Sequence, residues 1–160
     1  MKAQDNRILR RCKRNLAKRL DVRAWSDQPK PMLAASNVRY EMSDRVRAIS
    51  CGGIGAFLQL AQRVGLINAI DRRLHLLKRH LPYHESDHVL NIAFNTLAGG
   101  TCLDDIELRR QDEVFLDALG AERIPDPTTA GDFTRRFGEQ DVLALMDAIN
   151  EVRVKLWRER

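Results

Sequence analysis

Positions 84–88 read "HESDH", which fits the pattern H-E-x-x-H. On a helix that spacing sets two histidines one turn apart to hold zinc, with the glutamate as general base toward the metal-bound water. The chemistry therefore depends on where the helix begins. The flanks run "HLPYHESDHVLNIAFNTLAGG". Pro82 removes a backbone donor and clashes with the preceding turn, so no helix passes through it. Ser86 suits an N-cap, Asp87 suits the positive end of the helix dipole, and the apolar run opens at Val89. His84 and Glu85 are then expected before the helix and His88 in its first turn, so the two histidines share no face. His80, His84 and His88 are evenly spaced, but Pro82 interrupts that pattern too. No third ligand follows at a familiar spacing. The expectation is a polar helix start that holds no zinc.

The acids are the second place to look for chemistry. Asp104, Asp105, Glu107, Asp112, Asp126 and Asp132 could serve two-metal phosphoryl transfer only by converging from rigid elements. Asp104 and Asp105 are adjacent on a helix and point apart. Complementing helix dipoles accounts for most of these carboxylates, and no catalytic centre is visible. The stretch "CGGIGAFLQLAQRVGL" has glycines before a helix, yet it lacks the Lys-Ser/Thr of a P-loop and the third glycine of a dinucleotide fingerprint.

The elements that position these residues belong to a chain of 160 residues, one domain or one domain with an attached arm. An apolar fraction of 44% with 31% charged residues describes a globular protein rather than a disordered tail. No run of roughly 18 apolar residues occurs and the N-terminus lacks the apolar core of a signal peptide, so no membrane partner is expected. Cys12, Cys51 and Cys102 form no C-x-x-C pair. They fit free thiols in a reducing cytoplasm, at most one bridge and no structural zinc.

Charge is unevenly spread. Residues 1–23 hold nine Lys or Arg against two Asp, a balance of +7, while the whole chain carries +5, so the remainder sums to −2. Within that arm, "NRILRRCKRNLAKRL" sets Leu9, Cys12, Leu16 and Leu20 at helical spacing with cations on the other faces. Either the helix is solvated with one docking stripe, or Arg7, Arg10, Arg11, Lys13, Arg14, Lys18 and Arg19 contact nucleic-acid phosphates or anionic lipid. No aromatic residues are interleaved, which disfavours stacking on single-stranded bases.

Residues 24–53 read as a linker. "WSDQPKPMLAAS" carries two prolines, and Val38, Tyr40 and Met42 alternate with Arg39 and Glu41 as a strand would. That strand near 38–42 is an orphan, since no second convincing strand appears. Residues 54–160 read as helical throughout. A helix from Ile54 to Val64 ends at Gly65, another follows in "LINAIDRRLHLLK", and the apolar face starting at Val89 runs to Gly99-Gly100. "CLDDIELRR" and "DEVFLDAL" are short helices around a turn. "IPDPTTAGDFTRRF" supplies two prolines, a Thr cap and a helix ending in a basic pair. Residues 139–158 form a long helix whose stripe of Val142, Leu145, Met146, Ile149, Val152 and Leu156 is still apolar where the chain stops. The fold class is mainly α.

Two short helices and a turn leading into a polar helix form a helix-turn-helix-like unit. In such a unit Thr128, Thr129 and Asp132 face bases while Arg135 and Arg136 suit phosphates. An ordinary three-helix packing unit with Phe133 and Phe137 in the core fits the same residues.

The segment "LPYHESDHVLNIAFNTLAGGTCLDDIELRRQDEVFLDALGAERIPDPTTAGDF" resembles the N-terminal region of DDE transposases of bacterial insertion sequences, of the 1380 family. The likeness spans almost the whole chain, from "DQPKPMLAASNVRYEMSDRV" through "CGGIGAFLQLAQRVGLINAIDRRL" to "ALMDAINEVRVKLW". It implies a helical N-terminal region followed by an RNase-H-like domain whose acids bind two divalent metals for DNA strand cleavage and joining. The first catalytic aspartate lies beyond the last residue here, so no catalytic residue is carried over, and Mg2+ or Mn2+ belongs to the missing domain. The implied role is a truncated, non-catalytic DNA-binding and assembly region. Its implied partners are terminal inverted repeats, a second copy of itself or an intact transposase, and its implied place is the bacterial cytoplasm at the nucleoid. A dimerising fragment that inhibits intact transposase and an independent helix-turn-helix regulator are the alternatives.

Overall fold

A computed structural model describes residues 3–21, 29–33 and 51–158. The described chain is mainly α-helical: α1 (Ala3–Arg19), α2 (Ile54–Arg63), α3 (Leu66–Arg73), α4 (Glu85–Leu97), α5 (Ile106–Arg110), α6 (Glu113–Ala118), α7 (Pro127–Thr134) and α8 (Glu139–Arg158), with one 3-10 turn at Leu103–Asp105. No strand occurs among the described residues, and the strand expected at 38–42 lies outside them. None of the described helices is long and apolar enough to cross a membrane.

Glycine ends helices where expected at Gly65 and Gly99, and Gly120 does the same after α6. Gly65 separates α2 from α3 at φ 78°, and Gly99 and Gly120 take φ 87° and 63° after α4 and α6. These left-handed angles carry little cost only for glycine. Gly100 serves differently: its backbone lies so close under the Asn95 side chain that any Cβ there would overlap it.

Two helix starts differ from the sequence expectation. α4 begins at Glu85, with His84 rather than Ser86 as its N-cap. The cause is a set of carboxylates around that first turn. The His84 N–H donates to Asp87 Oδ2 at 2.9 Å, and the Ser86 N–H and hydroxyl donate to Asp71 Oδ1 and Oδ2 at 2.8 and 2.9 Å. Ser86 is therefore a donor to α3, and its own first-turn N–H, which has no intrahelical acceptor, is satisfied by Asp71. α7 begins at Pro127, and its cap is Asp126 rather than a threonine. Asp126 Oδ1 accepts the Thr129 N–H and Oδ2 the Thr129 hydroxyl, both at 2.8 Å. Proline at the first helical position loses only a donor that had no intrahelical partner.

The larger core gathers Leu58, Ile67, Phe94, Ile106, Leu116 and Ile124 from α2 to α7. Each such side chain contributes about 1.5–3 kcal/mol on burial. A second core forms where α8 packs on α3: Ala69, Ile70 and Leu74 meet Ala148 and Val152, flanked by Leu145, Val89 and Phe137. Only part of the expected α8 stripe is covered. Val152 is buried and Leu145 partly so, while Val142, Met146, Ile149 and Leu156 are exposed. On the polar side of this pair, Glu151 accepts from Arg72 at 2.8 Å, Arg73 at 2.9 Å and Lys155 at 3.0 Å.

Candidate functional site

The cationic arm is a docked helix. Leu16 packs against the larger core, Asn15 Nδ2 donates to Glu113 Oε1 at 3.4 Å, and Arg19 pairs with Asp117 at 2.6 Å, both acceptors lying on α6. Arg123 Nη1 adds a bond to the Arg19 carbonyl at 3.4 Å. Docking sorts the cations expected to meet phosphates. Arg7, Arg10, Arg11, Lys13, Arg14 and Lys18 remain exposed on the outer faces. Arg19 is half-buried and engaged with Asp117, so it serves the junction between α1 and α6.

The second cationic feature is a cleft of about 440 Å³ between the segment after α3 and the α7 region. Lys78, Arg79 and Arg136 bring three positive charges to its wall, with Thr129, Tyr83 and His88 beside them. Arg136 Nη1 also donates to the Leu76 carbonyl at 3.2 Å, tying the end of α7 to the segment. Two of the residues singled out in the sequence, Thr129 and Arg136, thus converge here. Lys78 and Arg79 join them without having been singled out. The signal was a basic pair inside "HLLKRHLPYH"; Lys78 closes the stretch expected to be helical, but α3 ends at Arg73 and both cations lie in the non-helical segment beyond it.

The other expected α7 residues sit differently. Thr128 is exposed in the first turn. Arg135 is 75% exposed and pairs with Asp132 at 2.6 Å. Ala130, Gly131 and Phe133 are the buried side of the helix. The connection from α6 runs over residues 119–126, longer than the turn of about three or four residues typical of helix-turn-helix units.

His88 lies at the floor of this region and is structural in its surroundings. It is 3% exposed, stacks on Phe133 with centroids 4.4 Å apart, and meets Tyr83 edge-on at 5.7 Å. Burial pushes its pKa down to about 4, with Arg136 acting in the same direction, so the ring is neutral at pH 7. Burial likewise pushes the Tyr83 hydroxyl far up.

Five of the six acids considered for two-metal chemistry are engaged locally, and the sixth, Asp104, is exposed. Asp105 accepts from the Thr101 and Cys102 N–H groups, Asp112 caps α6, Asp126 caps α7, Glu107 pairs with Arg110, and Asp132 pairs with Arg135. Hydrogen bonds from Thr101 and Cys102 hold the Asp105 carboxyl below its ordinary range.

The "HESDH" motif is arranged otherwise than expected. Glu85 is the first residue of α4, not a residue before it, and it is 2% exposed. Its Oε1 accepts the Leu76 and Leu77 N–H groups at 3.1 and 3.0 Å, and its Oε2 lies 3.2 Å from His80 Nε2. The His80 and His84 rings stack, with centroids 3.9 Å apart and planes 5° from parallel. The residues brought together are therefore His80, His84 and Glu85, while His88 points to Phe133 and Tyr83. Pro82 does exclude a helix through this segment, but a non-helical segment returns His80 to the glutamate all the same.

Comparison with protein-family models, curated proteins and solved structures finds no match to this chain.

Proposed function

We propose that the chain is a DNA-binding and assembly region of an insertion-sequence transposase, without catalytic activity of its own. The observation that carries this reading is the sorting of charge on α1: one side docks on α6 while Arg7, Arg10, Arg11, Lys13, Arg14 and Lys18 stay exposed. A helix held at one side and cationic on the others suits the phosphate backbone, whose neutralisation releases counterions. Lys78, Arg79 and Arg136 around the cleft extend the same chemistry to the α7 side. The transposase part of the reading rests on the resemblance of the sequence, and the partner it names is DNA bearing terminal inverted repeats. This role uses no metal in this chain. Mg2+ or Mn2+ belongs to the chemistry of a separate catalytic domain.

Fluorescence anisotropy with duplex DNA at several salt concentrations tests it. Binding should fall steeply with salt, each phosphate contact adding a slope of about −0.9 in log K against log salt. Replacing Arg7, Arg10, Arg14 and Lys18 by Gln should flatten that slope. No measurable binding at low salt, or a slope unaffected by these changes, refutes the reading.

A second role, pairing with another copy of the chain, is favoured by one observation. Val142, Met146, Ile149, Leu156 and Trp157 are all exposed along α8. Concentration-dependent sedimentation, relieved by Leu156→Asp with Trp157→Ser, supports it. A strictly monomeric wild type removes it.

A further inference from the structure

We propose that His80, His84 and Glu85 form a binding site for one divalent transition-metal ion of the zinc type. Each offers one ligand atom, and the three atoms lie within 4.8 Å of one another. Two imidazole nitrogens and one carboxylate oxygen are a donor set that zinc accepts, leaving a fourth position for water. In a tetrahedral site with bonds of about 2.0–2.1 Å, neighbouring ligand atoms sit about 3.3 Å apart. His80 Nε2 and Glu85 Oε2 already stand 3.2 Å apart. One edge of the tetrahedron is thus in place.

The surroundings of Glu85 resemble those of a ligating carboxylate. Its second oxygen is held by the Leu76 and Leu77 N–H groups, which fixes the direction of the first. Outer bonds of this kind orient metal ligands. Burial of the carboxylate strengthens its attraction for a cation, because less water competes. The side chain of His80 is 35% exposed, which leaves a path from solvent. Two features work against binding. The parallel rings of His80 and His84 do not converge on one point, so one ring must rotate about its χ2 angle. The positive end of the α4 dipole also opposes a cation. The site is therefore expected to be a single, specific but moderate one, and its donors favour zinc, cobalt or nickel over magnesium or calcium.

The inference rests on this geometry alone and is independent of the DNA-binding reading. The test uses the full chain, purified without a histidine tag and stripped with chelator. Zinc is titrated by calorimetry, and Co2+ is titrated by visible absorption, whose intensity reports tetrahedral coordination. One ion per chain is expected, with a rise in Tm because the ion binds the folded form. His80→Ala and His84→Ala should each lower affinity by more than the roughly 10–100-fold that loss of an outer-shell partner costs. His75→Ala, an exposed histidine outside the cluster, should leave binding unchanged. Circular dichroism verifies that the variants fold, and Glu85→Gln is read only if it does. Absence of stoichiometric binding, retention of binding by the His80→Ala/His84→Ala double variant, or equal loss in His75→Ala overturns the proposal.

Discussion

The Asp87 carboxylate and the Leu33 backbone meet directly: Oδ1 accepts the Leu33 N–H at 2.9 Å, across 54 positions of sequence. Oδ2 accepts from Met32 N–H at 2.8 Å and from His84 N–H at 2.9 Å. One fully buried side chain therefore holds the segment at residues 29–33 against the start of α4 and caps that helix at once. Burial pushes the Asp87 carboxyl up, while these N–H groups pull it down.

Asp87→Asn should show how much that junction contributes. The amide keeps the shape but turns one acceptor into a donor that faces backbone N–H groups. Each buried donor left unpaired costs about 1–3 kcal/mol, so a loss on the order of 3 kcal/mol is expected in urea denaturation. A variant as stable as wild type means the segment at 29–33 contributes nothing to folding.

His88 should make the fold sensitive to mild acid. Its folded pKa is lowered to about 4 by burial, below its ordinary value of 6.5. Between these values the unfolded chain binds a proton that the folded chain refuses, so stability falls as pH drops from 6.5 towards 4. The shift corresponds to on the order of 3 kcal/mol. His88→Phe keeps a ring against Phe133 and cannot titrate, so its stability should be flatter over this window. Identical slopes for the two proteins contradict the assignment.

Glu151 should govern a lower window. Arg73, Lys155 and Arg72 hold its carboxyl at about 2, below the ordinary 4.5. Its contribution is present above about 4.5 and is lost as pH falls towards 2. Glu151→Gln should lower Tm at neutral pH, and the difference from wild type should close on acidification. Because these groups face solvent, high salt should shrink the difference as well. A difference that persists at pH 2 points to packing rather than charge.

Two arginines on one helix should separate stability from DNA affinity. Arg19→Gln removes the Asp117 pair and should lower Tm with little change in the salt slope of binding. Arg10→Gln should leave Tm unchanged and reduce that slope by about 0.9 if it contacts a phosphate. Lys78→Gln with Arg79→Gln should weaken binding evenly across sequences, as lost phosphate contacts do. A loss confined to one DNA sequence would instead place these side chains at base edges.

Sequence by itself marked most of the helices and their punctuation, although the helix expected across "LINAIDRRLHLLK" ends at Arg73. Apolar residues at the 3.6 period marked α2, α4 and α8, and Gly65 and Gly99 stopped helices where the chain needs positive φ. It also determined the charge of α1, since charge is a property of composition. The expected strand near 38–42 lies outside the described residues.

Tertiary structure decided the rest because it brings in partners from far along the chain. The α4 start moved from Ser86 to His84 because Asp71, on another helix, takes the Ser86 N–H. Arg19 left the set of free cations because Asp117, 98 residues away, receives it. The buried face of α8 runs through Ala148 and Val152, which pack on Ala69, Ile70 and Leu74, and leaves Val142, Met146, Ile149 and Leu156 exposed. His80 reached Glu85 through a non-helical segment, and such a segment has no periodicity from which its direction can be read. Local patterns fix which residues share a helix face. Which face is covered, and which carboxylate meets which donor, follows from packing.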